Sequence, residues 1–115
     1  VEHIIVCGHE SCGAMGALLN LDNIKPYVQI QNWLKHAPKP DSIVSYSIPE
    51  ETLERLVQQN TLHQLDNIKS YPWVAEKISE GKLEIHAWVH RFSSGETFHY
   101  TKESQSFILL TPQED

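Results

Sequence analysis

The chain has 115 residues, 40% of them hydrophobic and 21% charged, and this composition predicts one globular domain with a modest core. Its formal net charge of −6 at pH 7 disfavours nucleic acid and anionic membrane surfaces as partners. No apolar run approaches the ~20 residues that a membrane-spanning helix needs, so we expect no membrane partner.

The first predicted element is a strand, and the loop after it carries two potential metal ligands. The apolar run at residues 4–6, bounded by Gly8, is typical of a strand buried on both faces of a parallel sheet. His9 and Cys12 follow it, and open α/β sheets bind ligands beyond the carboxyl ends of their strands. Imidazole and thiolate both suit Zn²⁺, and Gly13 lets the backbone bend closely around a metal or begin a helix. From the spacing alone, a buried thiol beside a hydrogen-bonded imidazole stays open as the alternative.

The glycines of this segment also raise the question of a nucleotide site, which the sequence argues against. Gly8 and Gly13 have the spacing of a P-loop, but Ala14 and Met15 stand where that motif needs Lys and Ser or Thr. With Gly16, the glycines do not form the Gly-x-Gly-x-x-Gly pattern of dinucleotide sites either.

Two helices are predicted after the loop. Residues 13–20 form the first, residues 21–26 a loop and residues 27–37 the second, before a stiff, proline-containing linker at residues 38–42. The side chains expected to face the core are Met15, Leu18 and Leu19 in the first helix, and Tyr27, Ile30, Trp33, Leu34 and Ala37 in the second.

A long helix is predicted in the middle of the chain. The capping box from Ser47 to Glu50 and a proline in the first turn predict a helix over residues 49–69. Pro72 should then begin a short helix, which Gly81 ends as its C-terminal cap. The apolar face of the long helix is formed by Leu53, Leu56, Val57, Leu65 and Ile68.

The last third of the chain has the period-two pattern of strands. Apolar and polar residues alternate over residues 83–90, and residues 96–100 should pair back antiparallel after a turn. His86 and His90 lie about 13 Å apart along an extended strand, so they cannot share one metal ion. Residues 107–110 are expected to form an edge strand, to cover the sheet, or to pack against a second subunit.

The chain resembles the β-class carbonic anhydrases over nearly all of its length. Residues 3–14 resemble the family's zinc-ligand segment, in which His-x-x-Cys-Gly follows a buried strand. Residues 61–72 are similar to its long helix leading into a Pro-started helix, residues 81–88 to its next strand, and residues 94–96 to the hairpin after it. The resemblance implies an α/β fold with a mainly parallel sheet, flanking helices and an antiparallel C-terminal edge hairpin.

This resemblance also implies an activity and a cofactor. The family hydrates carbon dioxide reversibly to bicarbonate, using Zn²⁺ held by two thiolates and one imidazole, with a water of lowered pKa at the fourth position. His9 would supply the imidazole and Cys12 one thiolate, while Gly8 and Gly13 would shape the backbone of the substrate pocket. No side chain of this sequence is assigned a catalytic role beyond that zinc-bound water.

One part of the family's site has no counterpart in this sequence. The other thiolate comes from a Cys-x-Asp-Ser-Arg segment, whose Asp and Arg form a pair beside the metal. The remaining Cys here is Cys7, and the arginines are Arg55 and Arg91, none of them in such a segment. We therefore expect residues 1–115 to be the C-terminal portion of a β-carbonic anhydrase-like domain, not competent alone. The alternative is a non-catalytic, self-associating α/β domain with weak zinc binding or none.

The resemblance bears on association and location as well. In the family, the strand at residues 4–6 lies beside the strand with the missing Cys, so here it would expose an unpaired edge. We expect a homo-oligomer, a dimer or higher, whose small-molecule substrate is CO₂ or bicarbonate. Cys12 as a ligand and Cys7 as a buried strand residue favour reduced thiols and hence the cytoplasm.

Overall fold

The computed structural model describes residues 1–39, 42–43 and 46–112, and these residues form one four-stranded sheet with four helices. Two residues of the predicted linker, Pro40 and Asp41, lie outside the described residues. The elements are β1 (His3–His9), α1 (Gly13–Leu19), a 3₁₀ turn (Leu21–Ile24), α2 (Val28–Leu34), α3 (Pro49–Lys69), α4 (Pro72–Ser79), β2 (Glu84–His90), β3 (Thr97–Thr101) and β4 (Ser106–Leu109).

The sheet is mixed, with the strand order β1-β2-β3-β4. β1 pairs in parallel with β2, in a register that runs from His3 opposite Glu84 to His9 opposite His90. β2 with β3, and β3 with β4, pair antiparallel. The four helices form the crossover between the two parallel strands. The α/β class and the antiparallel C-terminal edge are therefore confirmed. One of the three pairings between described strands is parallel, so the sheet is mixed and not mainly parallel, and β1 lies at its edge.

Helix α3 covers one face of the sheet and provides the centre of the core. It contacts both β1 and β2, and its Leu56 is only 1% exposed. A Cβ added at Gly8 would overlap the Thr61 hydroxyl, so the bare backbone of β1 lets the helix pack closely against the strand. The buried cluster consists of Met15, Leu18, Ile24, Leu34, Ala37, Leu56, Val57 and Val89.

In the described part of the chain, the opposite face of the sheet is exposed along β1 and half-buried along most of β2. Ile4 and Val6 are partly buried on the α3 side, whereas Ile5 and Cys7 are exposed. The prediction of a strand buried on both faces is wrong for the described residues, because α3 covers only one face of β1. The prediction that Cys7 is buried is wrong for the same reason, since Cys7 lies on the uncovered face. We call the other side the open face, formed by His3, Ile5, Cys7 and His9 of β1 and Glu84, His86, Trp88 and His90 of β2.

The two short helices before α3 differ from the sequence prediction. Helix α2 stops at Leu34, and its Ile30 and Trp33 are exposed, Trp33 by 63%. This helix docks through its C-terminal end and through the Gln31 amide, which donates to two carbonyl oxygens of the preceding turn. The helical spacing predicted that a whole face of α2 packs inward, whereas the contact at its C-terminal end leaves part of that face exposed. The predicted core residues that are exposed are Leu19, Tyr27, Ile30 and Trp33.

The long helix has the predicted bounds but not the predicted cap. α3 runs from Pro49 to Lys69, and its N-cap residue is Ile48, without a side-chain cap hydrogen bond. The chain just before α3 is held instead by Thr52. Its hydroxyl accepts a hydrogen bond from the Tyr46 N–H at 2.8 Å and lies 3.1 Å from the Tyr46 carbonyl oxygen. Gly81, at φ +72°, follows α4 in the left-handed conformation predicted for a helix end. Among the described residues, no helix combines the length and the apolar character that crossing a membrane requires.

Candidate metal centre

The loop between β1 and α1 holds both predicted zinc ligands. His9 is the last residue of β1, and Cys12 is the N-cap of α1, with its carbonyl oxygen accepting the Gly16 N–H at 2.9 Å. Only Glu10 and Ser11 separate them, and Ser11 takes a left-handed backbone with φ 55°, which side chains other than glycine adopt infrequently. This sharp turn keeps both donors at the carboxyl end of β1.

The His9 ring has one nitrogen engaged by the backbone. Its Nδ1 lies 2.9 Å from the Glu10 carbonyl oxygen, which can only accept, so Nδ1 carries the proton. The lone pair is then on Nε2, the arrangement that histidine ligands show when the other ring nitrogen donates to a carbonyl. The Phe92 ring packs against this imidazole, with the ring centres 5.4 Å apart.

The Glu10 side chain fixes the loop to the turn after β2. Its carboxylate accepts hydrogen bonds from the Ser93 N–H and from the Ser93 hydroxyl, and its own N–H donates to the His90 carbonyl oxygen at 3.0 Å. The backbone N–H of Ser93 lowers the pKa of the Glu10 carboxyl, because its hydrogen bond favours the charged form. Glu10 therefore anchors the loop.

The two glycines predicted to shape a substrate pocket lie in different surroundings. Gly8 faces α3, where a Cβ would overlap Thr61, so its small size is needed for packing. Gly13 is the first residue of α1, and a Cβ there would meet no atom within 4 Å. Packing thus explains Gly8, while a pocket role for either glycine stays a prediction.

Sequence reasoning missed an ion pair on the face of the sheet that α3 covers. The Arg91 guanidinium donates to the Glu54 carboxylate of α3 and lies 5.0 Å from the centre of the Phe98 ring. Together with Tyr46 and Val89, these residues line a cleft of about 350 Å³ between α3 and the sheet. Residues 37 positions apart form this pair, so no local sequence pattern indicates it. The Arg91 guanidinium is therefore paired with the Glu54 carboxylate.

The two donors of the loop are of the kinds that zinc binds, but they are fewer than the protein ligands of a catalytic zinc site. His9 offers Nε2 and Cys12 is a free, partly buried thiol, a nitrogen and a sulfur donor of the kinds that zinc prefers. Catalytic zinc sites use three protein ligands. Among the described residues, the group of three candidate ligands close enough to share an ion is His3, Glu84 and His86 on the open face. Sequence reasoning considered His86 only with His90 and missed its meeting with His3.

Comparisons with known proteins agree on one family. The family model described as carbonic anhydrase matches residues 1–97. The carbonic anhydrase of Synechococcus elongatus is 38% identical over 109 residues, covering 90% of this chain and 40% of that protein. The carbonic anhydrase of Synechocystis is 34% identical over 113 residues, covering 94% and 41%. The solved β-carbonic anhydrase CcaA superposes with a TM-score of 0.86 at 31% identity, covering 96% of this chain and 56% of that one.

The same comparisons give the share of each relative's length that the chain spans. The chain spans 40% and 41% of the length of these two curated relatives. It nevertheless matches the family model over most of its own length and shares the fold of a solved member. The chain therefore belongs to the β-carbonic anhydrase family.

Proposed function

We propose that this chain contributes one part of a zinc site that hydrates carbon dioxide reversibly to bicarbonate and a proton. The observation that carries the proposal is the two-residue loop joining His9 to Cys12, in a chain of this family. When bound, Zn²⁺ supplies a Lewis acid and lowers the pKa of a coordinated water toward neutrality.

Each residue of the loop has a distinct task in this proposal. His9 presents Nε2, because the Glu10 carbonyl oxygen holds Nδ1 and Phe92 packs on the ring. Cys12 binds as a thiolate, so metal binding releases its proton. Gly13 leaves open space beside the loop, which supports a role in the backbone of a pocket for CO₂ or bicarbonate.

We expect the 115 residues alone to show little or no catalysis. His9 and Cys12 are two ligands, one fewer than the three protein ligands of catalytic zinc sites. Stopped-flow measurement of CO₂ hydration by the isolated chain should therefore give a rate close to the uncatalysed one. Fast hydration by the isolated chain would contradict this expectation and exclude a purely non-catalytic role.

The ligand assignment is tested by zinc retention. The His86→Ala background removes one candidate ligand of the cluster on the open face. In that background, Cys12→Ser should lower zinc affinity by about tenfold or more, since even partners outside the ligand set are worth ~10–100-fold. Cys7→Ser is the matched control and should leave affinity unchanged, because Cys7 lies within β1 and outside the loop that joins His9 to Cys12. Equal affinity in Cys12→Ser and its parent would contradict the assignment.

A second candidate function, a self-associating domain without catalysis, is favoured by the edge of the sheet. Among the described residues, β1 pairs with β2 only. The Glu84 N–H donates to the Glu2 carbonyl oxygen, and the Glu10 N–H donates to the His90 carbonyl oxygen. The backbone groups of the even-numbered residues of β1 therefore point toward β2. By alternation, the backbone groups of its odd-numbered residues point to the free edge, where they can pair with a second copy. This edge supports the expected homo-oligomer.

Ile5→Pro tests this association. The substitution removes a backbone N–H from the free edge and spares the ladder to β2, which is where strands tolerate proline. Sedimentation velocity should then show the dimer or higher oligomer of the parent chain dissociating to monomer. An oligomer that persists in the folded Ile5→Pro variant would show that β1 does not mediate association. Ile5→Val is the control and should assemble as the parent does.

We also propose a cytoplasmic setting. A ligand role for Cys12 requires a reduced thiol, and Cys7 and Cys12 are both free. Reducing compartments keep such thiols from forming disulfides. Labelling both cysteines with a thiol reagent, without prior reduction, after fractionation of the source cells would check this setting. Labelled protein in the cytoplasmic fraction is expected, and disulfide-linked protein in an extracytoplasmic fraction would contradict it.

A further inference from the structure

Three potential metal ligands meet at the start of β1 and β2, away from the loop with His9. His3 and Glu84 are register partners in the parallel ladder, and His86 lies two residues further along β2 on the same open face. His3 Nδ1 is 3.0 Å from His86 Nε2 and 3.7 Å from Glu84 Oε2, and the two atoms of β2 are 3.9 Å apart. The register of the sheet thus brings two imidazoles and one carboxylate together.

The spacing of these three atoms suits one small metal ion. A circle through three points at these separations has a radius of about 2.1 Å, and zinc lies ~2.0–2.2 Å from nitrogen and carboxylate oxygen ligands. An ion near the centre of the triangle would be within bonding distance of all three atoms.

A hydrogen bond between the two imidazoles explains only part of the arrangement. The 3.0 Å separation of His3 and His86 is compatible with an N–H···N bond, and their rings stack with centres 5.2 Å apart. The Glu84 carboxylate oxygen, however, is 3.7 and 3.9 Å from the two rings, beyond the ~2.7–3.2 Å of an N–H···O bond. A cation between the three atoms would contact the carboxylate as well as both rings.

We propose that His3, Glu84 and His86 form a second metal site, for Zn²⁺ or a similar divalent transition metal. Two histidines and one glutamate are one of the three-ligand sets that bind zinc with a fourth position left for water. Glu84 is 71% exposed, so the fourth position faces solvent. The site lies six residues along β1 from His9, which corresponds to about 20 Å of strand, and it shares no ligand with the loop.

A metal at this position would join the two parallel strands at the edge of the sheet. One ligand comes from β1 and two from β2, so the three-ligand set exists only in the folded register. Binding that is restricted to the folded state raises the melting temperature in proportion to the logarithm of the metal concentration. This stabilisation can be measured without turnover, so the test does not depend on catalytic activity.

The test is calorimetric titration of the Cys12→Ser chain with Zn²⁺, which leaves the cluster as the remaining site. We expect one zinc per chain and a rise in melting temperature. Glu84→Gln should weaken this binding by about tenfold or more, and His86→Ala at least as much. Glu84→Gln keeps the shape of an exposed side chain, so its fold should be intact. The controls are His63→Ala on α3 and Glu76→Gln on α4, which should bind zinc as their parent does.

Two results would overturn the proposal. One is a Cys12→Ser chain that binds no zinc, or binds it equally well after Glu84→Gln in a variant whose circular dichroism shows the parent fold. The other is a zinc X-ray absorption spectrum with a sulfur neighbour, which would assign the ion to Cys7 instead. The proposal predicts only nitrogen and oxygen neighbours, at about 2.0–2.2 Å. Neither result would affect the assignment of His9 and Cys12, which is tested in the His86→Ala background.

Discussion

Replacement of Gly8 by alanine tests the packing that positions β1, and with it His9, against α3. The added Cβ would overlap Thr61 Oγ1 and lie 3.1 Å from Val57 Cγ1. Thr61 cannot easily give way, because its side chain is 2% exposed and its hydroxyl donates to the Val57 carbonyl oxygen at 2.7 Å. Gly8→Ala therefore forces either the strand or the helix to move.

The magnitude follows from two opposing contributions. Overpacking of a well-packed core costs about 1–3 kcal/mol, while loss of chain entropy in the unfolded state favours alanine over glycine by about 0.4–1 kcal/mol. The net expectation for Gly8→Ala is a loss of about 1–2 kcal/mol in the free energy of unfolding. Gly13→Ala is the matched control: a Cβ there meets no atom within 4 Å, so it should stabilise the chain by about 0.4–1 kcal/mol.

Urea unfolding followed by circular dichroism measures these differences, and a double-mutant cycle identifies their cause. Thr61→Ala removes the hydroxyl that the new Cβ would overlap. It leaves an ordinary contact of 3.7 Å with the residue 61 Cβ and the tighter contact of 3.1 Å with Val57 Cγ1. The double variant with Gly8→Ala should therefore be about 1–2 kcal/mol more stable than additivity predicts. Strict additivity, or a Gly8→Ala variant as stable as Gly13→Ala, would refute the steric explanation.

Two further predictions concern α3. Leu56→Ala should cost about 2–5 kcal/mol in unfolding free energy, because its side chain is buried in the core cluster; the exposed control Leu19→Ala should cost less than about 1 kcal/mol, and equal losses would contradict the packing. Thr52→Val should cost about 1–2 kcal/mol by leaving the Tyr46 backbone N–H without its partner, whereas unchanged urea midpoints would show that the hydroxyl does not hold this segment.

The predictions that held depend on local pattern. The bounds of α3 at Pro49 and Lys69 agree with the prediction for residues 49–69, because a proline at the helix start and apolar residues at helical spacing act through neighbouring residues. Gly81 ends α4 in the left-handed conformation that glycine adopts most readily. The alternation over residues 83–90 predicted β2 for the same kind of reason.

The predictions that failed depend on what packs against each element. Periodicity identified an apolar face that includes Tyr27 and Trp33, but it could not show that α2 docks through its last turn only. The apolar run of β1 did not reveal that one of its faces stays open. His3 and His86 meet only because β1 and β2 pair in parallel in one register, which two separate segments of sequence cannot specify. The placement of His9 and Cys12 at the two ends of one short loop was predictable, since two residues separate them in the sequence.

The central claim is that His9 and Cys12 hold the same metal ion, and X-ray absorption at the zinc edge tests it most directly. The sample is the zinc-loaded His86→Ala chain, in which one ligand of the second proposed site has been removed. The account predicts one sulfur neighbour at about 2.3 Å together with nitrogen at about 2.0–2.1 Å, and loss of that sulfur in Cys12→Ser. A spectrum without sulfur, or a sulfur that survives Cys12→Ser, would contradict it.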